Sequence, residues 1–280
     1  MEGSDTQRKS LVQRLAVAAV GIPLVVGAVL IGRWVFAGLV AVVAGIAAWE
    51  YGRLMQRRGV LPQWSLLVGG AVAQNLLTFA FGSPLVALGV VGLSIVLLAW
   101  GMALWWWRGS PLLNTAATVA GVCYVGGLLS TVIPLQWVKG GIEVPGGMVL
   151  PLLAAVWVGD TAAYAVGRRW GRYPLAPRVS PKKTWEGTVA CFIGTALAFW
   201  GLLQWWMPVF PGGEALALGV LLGVVGQVGD LAESQLKRDV AVKDSSALLP
   251  GHGGMLDRID SLLFAAPCLY AWLALRGWIG

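Results

Sequence analysis

The chain has 280 residues, of which 58% are hydrophobic and only 12% are charged. A soluble domain usually carries about 45–50% apolar and about 25% charged residues. The excess of apolar residues predicts contact with lipid and excludes a water-soluble enzyme, a disordered chain and a secreted scaffold held by disulfides. The net charge of +7 lies in short segments between apolar runs. It therefore indicates anionic membrane lipids and anionic substrates as partners, and no nucleic acid.

Nine apolar segments are candidates for crossing a bilayer. A helix needs about 20 mostly apolar residues to span about 30 Å of hydrocarbon, and glycine, proline or charged residues separate most of these segments. The sequence predicts an all-α, polytopic integral membrane protein with about nine transmembrane helices, the first of them retained rather than cleaved. The predicted spans are residues 15–32, 34–50, 64–81, 84–106, 113–137, 147–167, 188–208, 214–230 and 260–279.

The basic residues predict the orientation of these spans. With the N-terminus in the cytoplasm, 17 of the 20 basic residues lie in cytoplasmic segments, and only Arg33, Lys139 and Arg276 lie outside. Positive residues concentrate on the cytoplasmic side of membrane proteins. The protein is therefore expected in the inner (cytoplasmic) membrane, with its N-terminus and active site in the cytoplasm.

The two halves of the chain differ in their acidic residues. Residues 1–150 have almost none within their spans and are predicted to be a transmembrane scaffold. Residues 151–280 are predicted to be the catalytic region, with long cytoplasmic loops at 168–187 and 231–259. The cysteines lie in apolar stretches without CxxC spacing and are interpreted as packing residues; they are Cys123, Cys191 and Cys268.

An ionisable residue lies within the sixth predicted span. Asp160, Tyr164 and Gly167 follow at i, i+4 and i+7, which places them on one helix face. A charged group within a membrane is costly, so Asp160 is a functional candidate by default. A structural ion pair between helices is the alternative interpretation.

Residues 178–187 combine a predicted helix start with two lysines. Ser180 and Pro181 favour an N-cap and the first helical position, so a helix is predicted to begin there. Free backbone N–H groups beside Lys182 and Lys183 would suit a phosphate. An ordinary positively charged loop is the alternative, and composition alone favours it.

The densest group of charged side chains lies near the C-terminus. Asp230, Ser234 and Lys237 recur on one predicted helix face, and a glycine-rich loop at 245–254 holds the only histidine, His252. The last span then opens with Asp257 and Asp260 at i, i+3, and this spacing lets them face the same point. The acids that gather here are Asp160, Asp230, Asp244, Asp257 and Asp260, and the bases are Lys182, Lys183, Lys237, Arg238, Lys243 and Arg258.

This combination of side chains predicts chemistry on phosphates. Carboxylates bind Mg²⁺, usually one or two at a time with substrate phosphates completing the shell, and basic side chains neutralise phosphoryl oxygens. The sequence has no HExxH and no GxxxxGK[ST] motif, and one histidine cannot build a histidine-rich zinc site. The residues predict a membrane enzyme that uses Mg²⁺ on phosphates; a salt-bridged cytoplasmic loop is the alternative.

The same residues form a long, spaced motif. The motif runs from Ser234 to Asp260 and has three blocks. The block SxxKR is followed after four residues by KD, and KD is followed after five residues by PGHGGxxDRxD. This motif resembles the signature of phosphatidate cytidylyltransferases, also called CDP-diacylglycerol synthases. Residues 160–167, 180–187 and 229–231 resemble further blocks of that family. Before residue 150 the similarity is generic, with a loose fit at Glu50 and Tyr51, and Ser245-Ser246 replaces a frequent aromatic residue or glycine.

The resemblance implies that CTP reacts with phosphatidic acid to give CDP-diacylglycerol and pyrophosphate, for phospholipid biosynthesis. Mg²⁺ is the implied cofactor, with Mn²⁺ as its expected substitute, and a homodimer is expected because some family members are dimers. Such a displacement needs positioning and charge neutralisation more than covalent catalysis.

The resemblance also implies roles for individual residues. The implied metal ligands are Asp230, Asp257, Asp260 and Asp160. The implied catalytic residues are Asp230, Lys237, Arg238, Lys243, Asp244, His252 and Arg258. The implied substrate-binding residues are Ser180, Lys182, Lys183, Ser234, Gly253 and Gly254. For His252, an acid–base role, a hydrogen bond to CTP and a structural role in the loop all stay open.

Two other functions stay open on the sequence alone. A CTP-using lipid kinase would yield CDP and a phosphorylated lipid instead of pyrophosphate and a CDP-lipid. A transporter, with Asp160 and Asp230 as an ion relay, would carry charges at mid-depth along several spans. The clustering of the acids at one predicted face disfavours the transporter.

A reporter enzyme fused after Gly280 tests the predicted orientation. We expect it to be active outside the cytoplasm, because the basic loops hold the preceding spans in that orientation. A fusion after Arg58 serves as the cytoplasmic control. A cytoplasmic reading at Gly280 would mean that the number of spans is wrong, with residues 15–50 as the first segment to re-examine.

Overall fold

The computed structural model describes residues 2–105, 109–138, 146–251 and 253–279. In this part of the chain, nine α-helices of at least eleven residues follow one another. They are α1 (Glu2–Ile31), α2 (Arg33–Arg57), α3 (Trp64–Phe81), α4 (Pro84–Trp105), α5 (Pro111–Gly121), α6 (Val149–Trp170), α7 (Trp185–Trp206), α8 (Gly212–Asp239) and α9 (Leu256–Leu275).

The helices have the length and composition of membrane spans. Within the described residues, eight apolar helical stretches are long enough to cross a bilayer, and Val17–Ile31 in α1 is a shorter apolar helix. The predicted all-α, polytopic membrane fold is therefore confirmed. The stretch after α5 continues as a π-helical turn, Val122–Gly127, and a last helical turn, Leu128–Ser130, so that one span extends to Gln136.

The segment between α6 and α7 corrects the predicted helix start. Ser180–Thr184 forms strand β2, which pairs antiparallel with β1 (Pro174–Ala176). A residue that precedes proline prefers extended backbone, which a strand and a helix cap both provide, so the pairing with β1 decides for the strand. Helix α7 begins at Trp185 instead, where the Thr184 hydroxyl accepts a hydrogen bond from the backbone N–H of Gly187 at 3.3 Å.

A second correction concerns the segment before the glycine-rich loop. Helix α8 does not end at Asp230 but continues to Asp239, and α9 already begins at Leu256. The polar end of α8 stays helical because Glu233 and Lys237, one turn apart, form a buried ion pair. The loop predicted at 231–259 is therefore reduced to residues 240–255.

The chain divides into two compact units. The first contains residues 1–133 and 239–259, and the second contains residues 134–238 and 260–280. The glycine-rich loop therefore belongs to the same unit as the N-terminal helices, although the sequence division at residue 150 groups it with the C-terminal region.

The first unit has small and polar residues in its core. Ala44, Ala47 and Ala71 are fully buried, which allows helices α2 and α3 to approach their neighbours closely. Gln74 is also fully buried, and its side-chain amide donates to the carbonyl of Pro84 at 3.1 Å and to a serine hydroxyl at 3.2 Å. Hydrogen bonds thus satisfy donors that an apolar interior would otherwise leave unpaired.

The second unit depends on close contact between α7 and α8. A Cβ atom added to Gly219 in α8 would lie 2.6 Å from the Cα atom of Ala196 in α7. A Cβ atom added to Gly223, about one turn later, would lie 3.1 Å from the Cα atom of Phe192. Glycine at these positions lets the two backbones meet, as small residues do at helix interfaces in membranes.

The substitution Gly219→Ala tests this packing. We expect it to lower the free energy of unfolding by roughly 1–3 kcal/mol, because the added methyl group meets backbone that cannot move aside. The control is Gly201→Ala in α7, where an added Cβ has nothing within 4 Å. The control should leave the melting temperature in detergent unchanged or raise it slightly, since alanine favours helix. Equal melting temperatures for both variants would contradict the close contact.

Candidate active site

Four of the predicted charged side chains come together in the second unit. Lys183 in β2 forms a salt bridge with Asp230 in α8, with 2.5 Å between Nζ and Oδ2. Asp260 in α9 lies within electrostatic range of Asp230, Lys183 and Asp160, the last of which is in α6. We call these four residues the carboxylate cluster. Three helices and one strand thus gather residues that are up to 100 positions apart in the sequence.

Close packing of α8 on α9 brings Asp230 and Asp260 together. Gly229 precedes Asp230, and a Cβ atom at Gly229 would lie only 2.5 Å from the backbone carbonyl oxygen of Asp260. The Asp260 carboxylate accepts a hydrogen bond from the N–H of Ser261 at 2.6 Å. Asp230 accepts a hydrogen bond from the Ser234 hydroxyl at 3.3 Å, so the predicted i, i+4 relation is present. Both carboxylates are therefore held in defined positions.

A small pocket adjoins the carboxylate cluster within the second unit. Its lining includes Asp160, Thr195, Gln227 and Ser261, together with apolar residues of the same helices. The side-chain nitrogen of Gln227 is buried and has no hydrogen-bond partner among the described residues. A buried amide without a partner is costly. The pocket therefore offers a hydrogen-bond donor to a polar group of about the size of a water molecule.

The donor set of the cluster fits Mg²⁺. The cluster has three carboxylates and one lysine, which leaves negative charge that a divalent cation would neutralise. Across the described ranges, no group of three Asp, Glu, His or Cys side chains is close enough to hold a metal ion alone. Mg²⁺ usually takes only one or two carboxylates and completes its octahedron with water and phosphate oxygens. Asp230 and Asp260 can supply that number.

The glycine-rich loop of the first unit folds around two carboxylates. The first is Glu50 in α2, which is fully buried. Its Oε1 accepts hydrogen bonds from the Ser246 hydroxyl at 2.5 Å and from the Met255 N–H at 2.9 Å. Its Oε2 accepts hydrogen bonds from the Ser245 hydroxyl at 3.0 Å and from the Leu256 N–H at 2.7 Å. Glu50 therefore caps the start of α9 from a different helix.

The second carboxylate of the loop is Asp257, in the first turn of α9. Its Oδ2 accepts hydrogen bonds from the Gly254 N–H at 2.7 Å, and from the Ser245 N–H and hydroxyl at 3.0 and 3.1 Å. Asp257 and Asp260 were expected to face one point. In the structure, Asp257 binds the loop of the first unit, whereas Asp260 lies near Asp230 in the second.

The other predicted residues of the loop are accessible. Lys243, Asp244 and Arg258 are exposed. Gly253 has a φ of +80°, which favours glycine, and a Cβ there would lie 2.7 Å from the Asp257 carboxylate. His252 lies outside the described residues, so its predicted role stays a prediction.

The remaining predicted residues lie in the second unit. Lys182 in β2 is exposed, and Ser180 at the start of that strand is half-buried. Lys237 is paired with Glu233, and their side chains are 10% and 0% exposed. Arg238 donates from Nε to the carbonyl of Val179 at 3.0 Å, which ties the end of α8 to the β-hairpin segment. Lys237 and Arg238 thus have structural partners of their own.

Glu50 is not among the site residues predicted from the sequence. The available signal was its charge, since an acidic residue that ends an apolar predicted span is a functional candidate. Its partners lie about 200 residues later, at Ser245, Ser246 and the start of α9. No local pattern in the sequence connects these positions.

The fold and the carboxylate cluster define a polytopic membrane protein with acidic and basic side chains suited to phosphate chemistry. A model of the cytidylyltransferase family matches residues 12–276, and the chain belongs to this family.

Relatives named phosphatidate cytidylyltransferase match most of the chain. The chain is 31% identical to one from Synechocystis, over 94% of this chain and 96% of the relative. It is 34% identical to one from Pseudomonas aeruginosa, over 96% of this chain and 98% of the relative. A relative of the same name from Brucella suis is 44% identical over 158 residues, which is 56% of each chain.

Proposed function

We propose that this membrane protein transfers the cytidylyl group of CTP to phosphatidic acid, giving CDP-diacylglycerol and pyrophosphate for phospholipid biosynthesis. The observation that carries the proposal is the carboxylate cluster, in which Asp230 pairs with Lys183 and Asp260 lies within electrostatic range of Asp160, Asp230 and Lys183. The family and the names of the relatives support the same reaction. They favour it over the lipid kinase and the transporter.

The reaction is a displacement at phosphorus. A phosphate oxygen of phosphatidic acid forms a bond to the α-phosphorus of CTP, and the bond from that phosphorus to the oxygen bridging to the β-phosphate breaks. Pyrophosphate leaves with the electron pair of the broken bond. Catalysis depends mainly on holding the two phosphates in line and neutralising their charge.

The residues of the carboxylate cluster have distinct proposed roles. Asp230 and Asp260 would hold Mg²⁺, for which Mn²⁺ would substitute, and Asp160 would add negative charge beside them. The ion, when bound, would supply charge neutralisation at the phosphate oxygens. Lys183, which pairs with Asp230 in the same cluster, would interact with a phosphate of CTP. Because Asp230 already positions the Lys183 ammonium, little side-chain freedom is lost when substrate binds.

The residues of the first unit complete the proposal. Lys243 and Arg258 are exposed cations available to substrate phosphates. Gly253 and Gly254 are proposed to act in substrate binding through the shape of the loop, since Gly254 itself packs against Glu50 and Ser245. Asp257 is proposed as a further metal ligand. Asp244 and His252 are proposed as catalytic residues of the same loop, and Ser180, Lys182, Ser234, Lys237 and Arg238 as residues that contact or position substrate in the second unit.

The environment of the enzyme follows from its spans and charges. We propose that it lies in the inner membrane with the charged segments in the cytoplasm, since CTP is a cytoplasmic substrate and basic segments are retained on that side. A homodimer is also proposed. Crosslinking of the purified protein in detergent, followed by mass determination, measures that state.

The proposed reaction is tested with the purified protein in detergent, given Mg²⁺, phosphatidic acid and CTP labelled in the cytosine ring. We expect the label to appear in a lipid, with one pyrophosphate released for each labelled lipid. Labelled CDP without labelled lipid would identify a kinase and overturn the proposal. Omission of phosphatidic acid is the control for hydrolysis of CTP.

The metal assignment predicts the effect of Asp260→Asn. Asparagine retains the oxygen that accepts from the Ser261 N–H, so folding should be preserved. Loss of the negative charge should lower turnover by roughly 100-fold or more, since a bound metal supplies several kcal/mol to the transition state. Turnover is measured against Mg²⁺ and Mn²⁺ concentration, and excess metal should restore part of it.

The control for Asp260→Asn is Asp239→Asn, which removes a carboxylate from an exposed ion pair with Arg58. It should keep full turnover and normal metal dependence. Wild-type metal dependence in Asp260→Asn, together with the same result in Asp230→Asn, would contradict the assignment of the cluster as a metal site.

The two adjacent lysines of β2 are predicted to differ. Lys183 is paired with Asp230, whereas Lys182 is exposed. Lys183→Ala should therefore lower kcat/KM for CTP, and the corresponding loss of transition-state stabilisation should be about 1.5–3 kcal/mol, the contribution of one charged hydrogen bond. Lys182→Ala should have a smaller effect, because an exposed charge is screened by solvent. Initial rates at varied CTP concentration measure both, and an equal loss in the two variants would contradict the distinction.

A further inference from the structure

The glycine-rich loop depends on a residue that its own sequence motif does not contain. Glu50 is fully buried in α2, and both of its carboxylate oxygens are occupied by donors from residues 245–256. Two of these donors are serine hydroxyls and two are backbone N–H groups at the start of α9. The contacts all lie within the first unit.

From these contacts we infer that Glu50 is a positioning residue of the enzyme: it fixes the glycine-rich loop and the start of α9 and thereby orients Asp257. The inference rests on the proposed function, in which Asp257 is a metal ligand. Glu50 reaches Asp257 through Ser245, whose hydroxyl lies 3.0 Å from the Glu50 carboxylate and 3.1 Å from that of Asp257.

The site requires a carboxylate. Four donors converge on Glu50, so its two oxygens act only as acceptors. In a glutamine, an NH₂ group would replace one of these oxygens. This NH₂ group would face a backbone N–H, and two donors cannot form a hydrogen bond with each other. Carboxylates are also favoured beside the N-terminal N–H groups of a helix. Glu50→Gln therefore changes the hydrogen bonding of the loop without changing the size of the side chain.

The loop also wraps tightly around this carboxylate. A Cβ atom at Gly254 would lie 2.7 Å from both Glu50 oxygens and 1.9 Å from the Ser245 hydroxyl. The hydroxyls of Ser245 and Ser246 both donate to Glu50. The loop and this carboxylate are therefore fitted to each other.

The test compares Glu50→Gln with Glu50→Asp and with the control Gln74→Leu. Gln74 is equally buried and polar and lies in the same unit, but its hydrogen bonds are to Thr78, Pro84 and Ser130 rather than to the loop. Each variant is measured for melting temperature, for kcat and KM with CTP, and for the Mg²⁺ concentration at half-maximal rate.

A second readout needs neither substrate nor metal. A nitroxide is attached at Ala247→Cys, an exposed position of the loop, after the native cysteines are replaced. Electron paramagnetic resonance of the full-length protein then reports the mobility of the loop. We expect Glu50→Gln to increase this mobility, while Gln74→Leu leaves it at the wild-type level.

In the kinetic readout, Glu50→Gln should lower kcat/KM about 10- to 100-fold and raise the Mg²⁺ requirement, the range found when residues that orient metal ligands are changed. Glu50→Asp, which keeps the charge, should retain more activity. Gln74→Leu should lower the melting temperature at least as much as Glu50→Gln and leave the kinetic constants near wild type. If Glu50→Gln does not fold, Ser246→Ala removes one donor only and should change the same constants in the same direction.

Wild-type kinetics and wild-type nitroxide mobility in Glu50→Gln or Ser246→Ala would overturn the inference. So would a kinetic loss in Gln74→Leu equal to that in Glu50→Gln, because the effect would then follow from stability alone. If the wild-type protein forms no CDP-lipid, the proposed function fails separately, and unchanged nitroxide mobility would still overturn the role of Glu50.

Discussion

A charged group that leaves water needs a partner, and this requirement organises the functional part of the chain. Removing one partner from a buried ion pair costs about 3–5 kcal/mol, because the other charge stays buried. Lys183 pairs with Asp230, and Glu233, which is 0% exposed, pairs with Lys237. Glu50 meets the same requirement with four hydrogen-bond donors instead of a cation. These ion pairs and hydrogen bonds thus hold the ends of the helices in place.

Glycine makes these pairings geometrically accessible. Charged side chains from different helices meet only where the backbones approach, and the backbones approach where no side chain separates them. Gly229 brings α8 against the carbonyl of Asp260, so that Asp230, the next residue, lies near Asp260 in the second unit. In the first unit, Gly254 has the same function beside Glu50. The positions of the glycines therefore decide which charged side chains of different helices can meet.

The spans and the family of this chain were predictable, because long apolar runs and a long charged motif are strong local signals. The ends of helices were harder to predict. Hydropathy ended the predicted span at Asp230, and only the helical spacing of Asp230, Ser234 and Lys237 indicated the helix beyond it, which the structure extends to Asp239. The helix predicted at Ser180 failed because Ser180 and Thr184 are both good caps, and strand pairing decided between them.

The sequence predicted which charged residues belong to the candidate site, but not which of them lie close together. Asp160, Lys183, Asp230 and Asp260 were all candidates, and the structure gathers them in one unit. The i, i+3 spacing of Asp257 and Asp260 predicted a shared target, yet the nearest donors of Asp257 are loop N–H groups. Helical spacing defines a common face, whereas the neighbouring segments decide what each side chain binds.

The distance in sequence between Glu50 and its donors has a consequence for biogenesis. Ser245 follows Glu50 by 195 residues. At a synthesis rate of about 5–20 residues per second, the α2 helix waits roughly 10–40 seconds in the membrane before the residues that satisfy its carboxylate leave the ribosome. During that interval the nascent chain carries, near the charged end of α2, an acid whose later partners are absent. Protonation, water or the insertion machinery has to accommodate it until the last helix arrives.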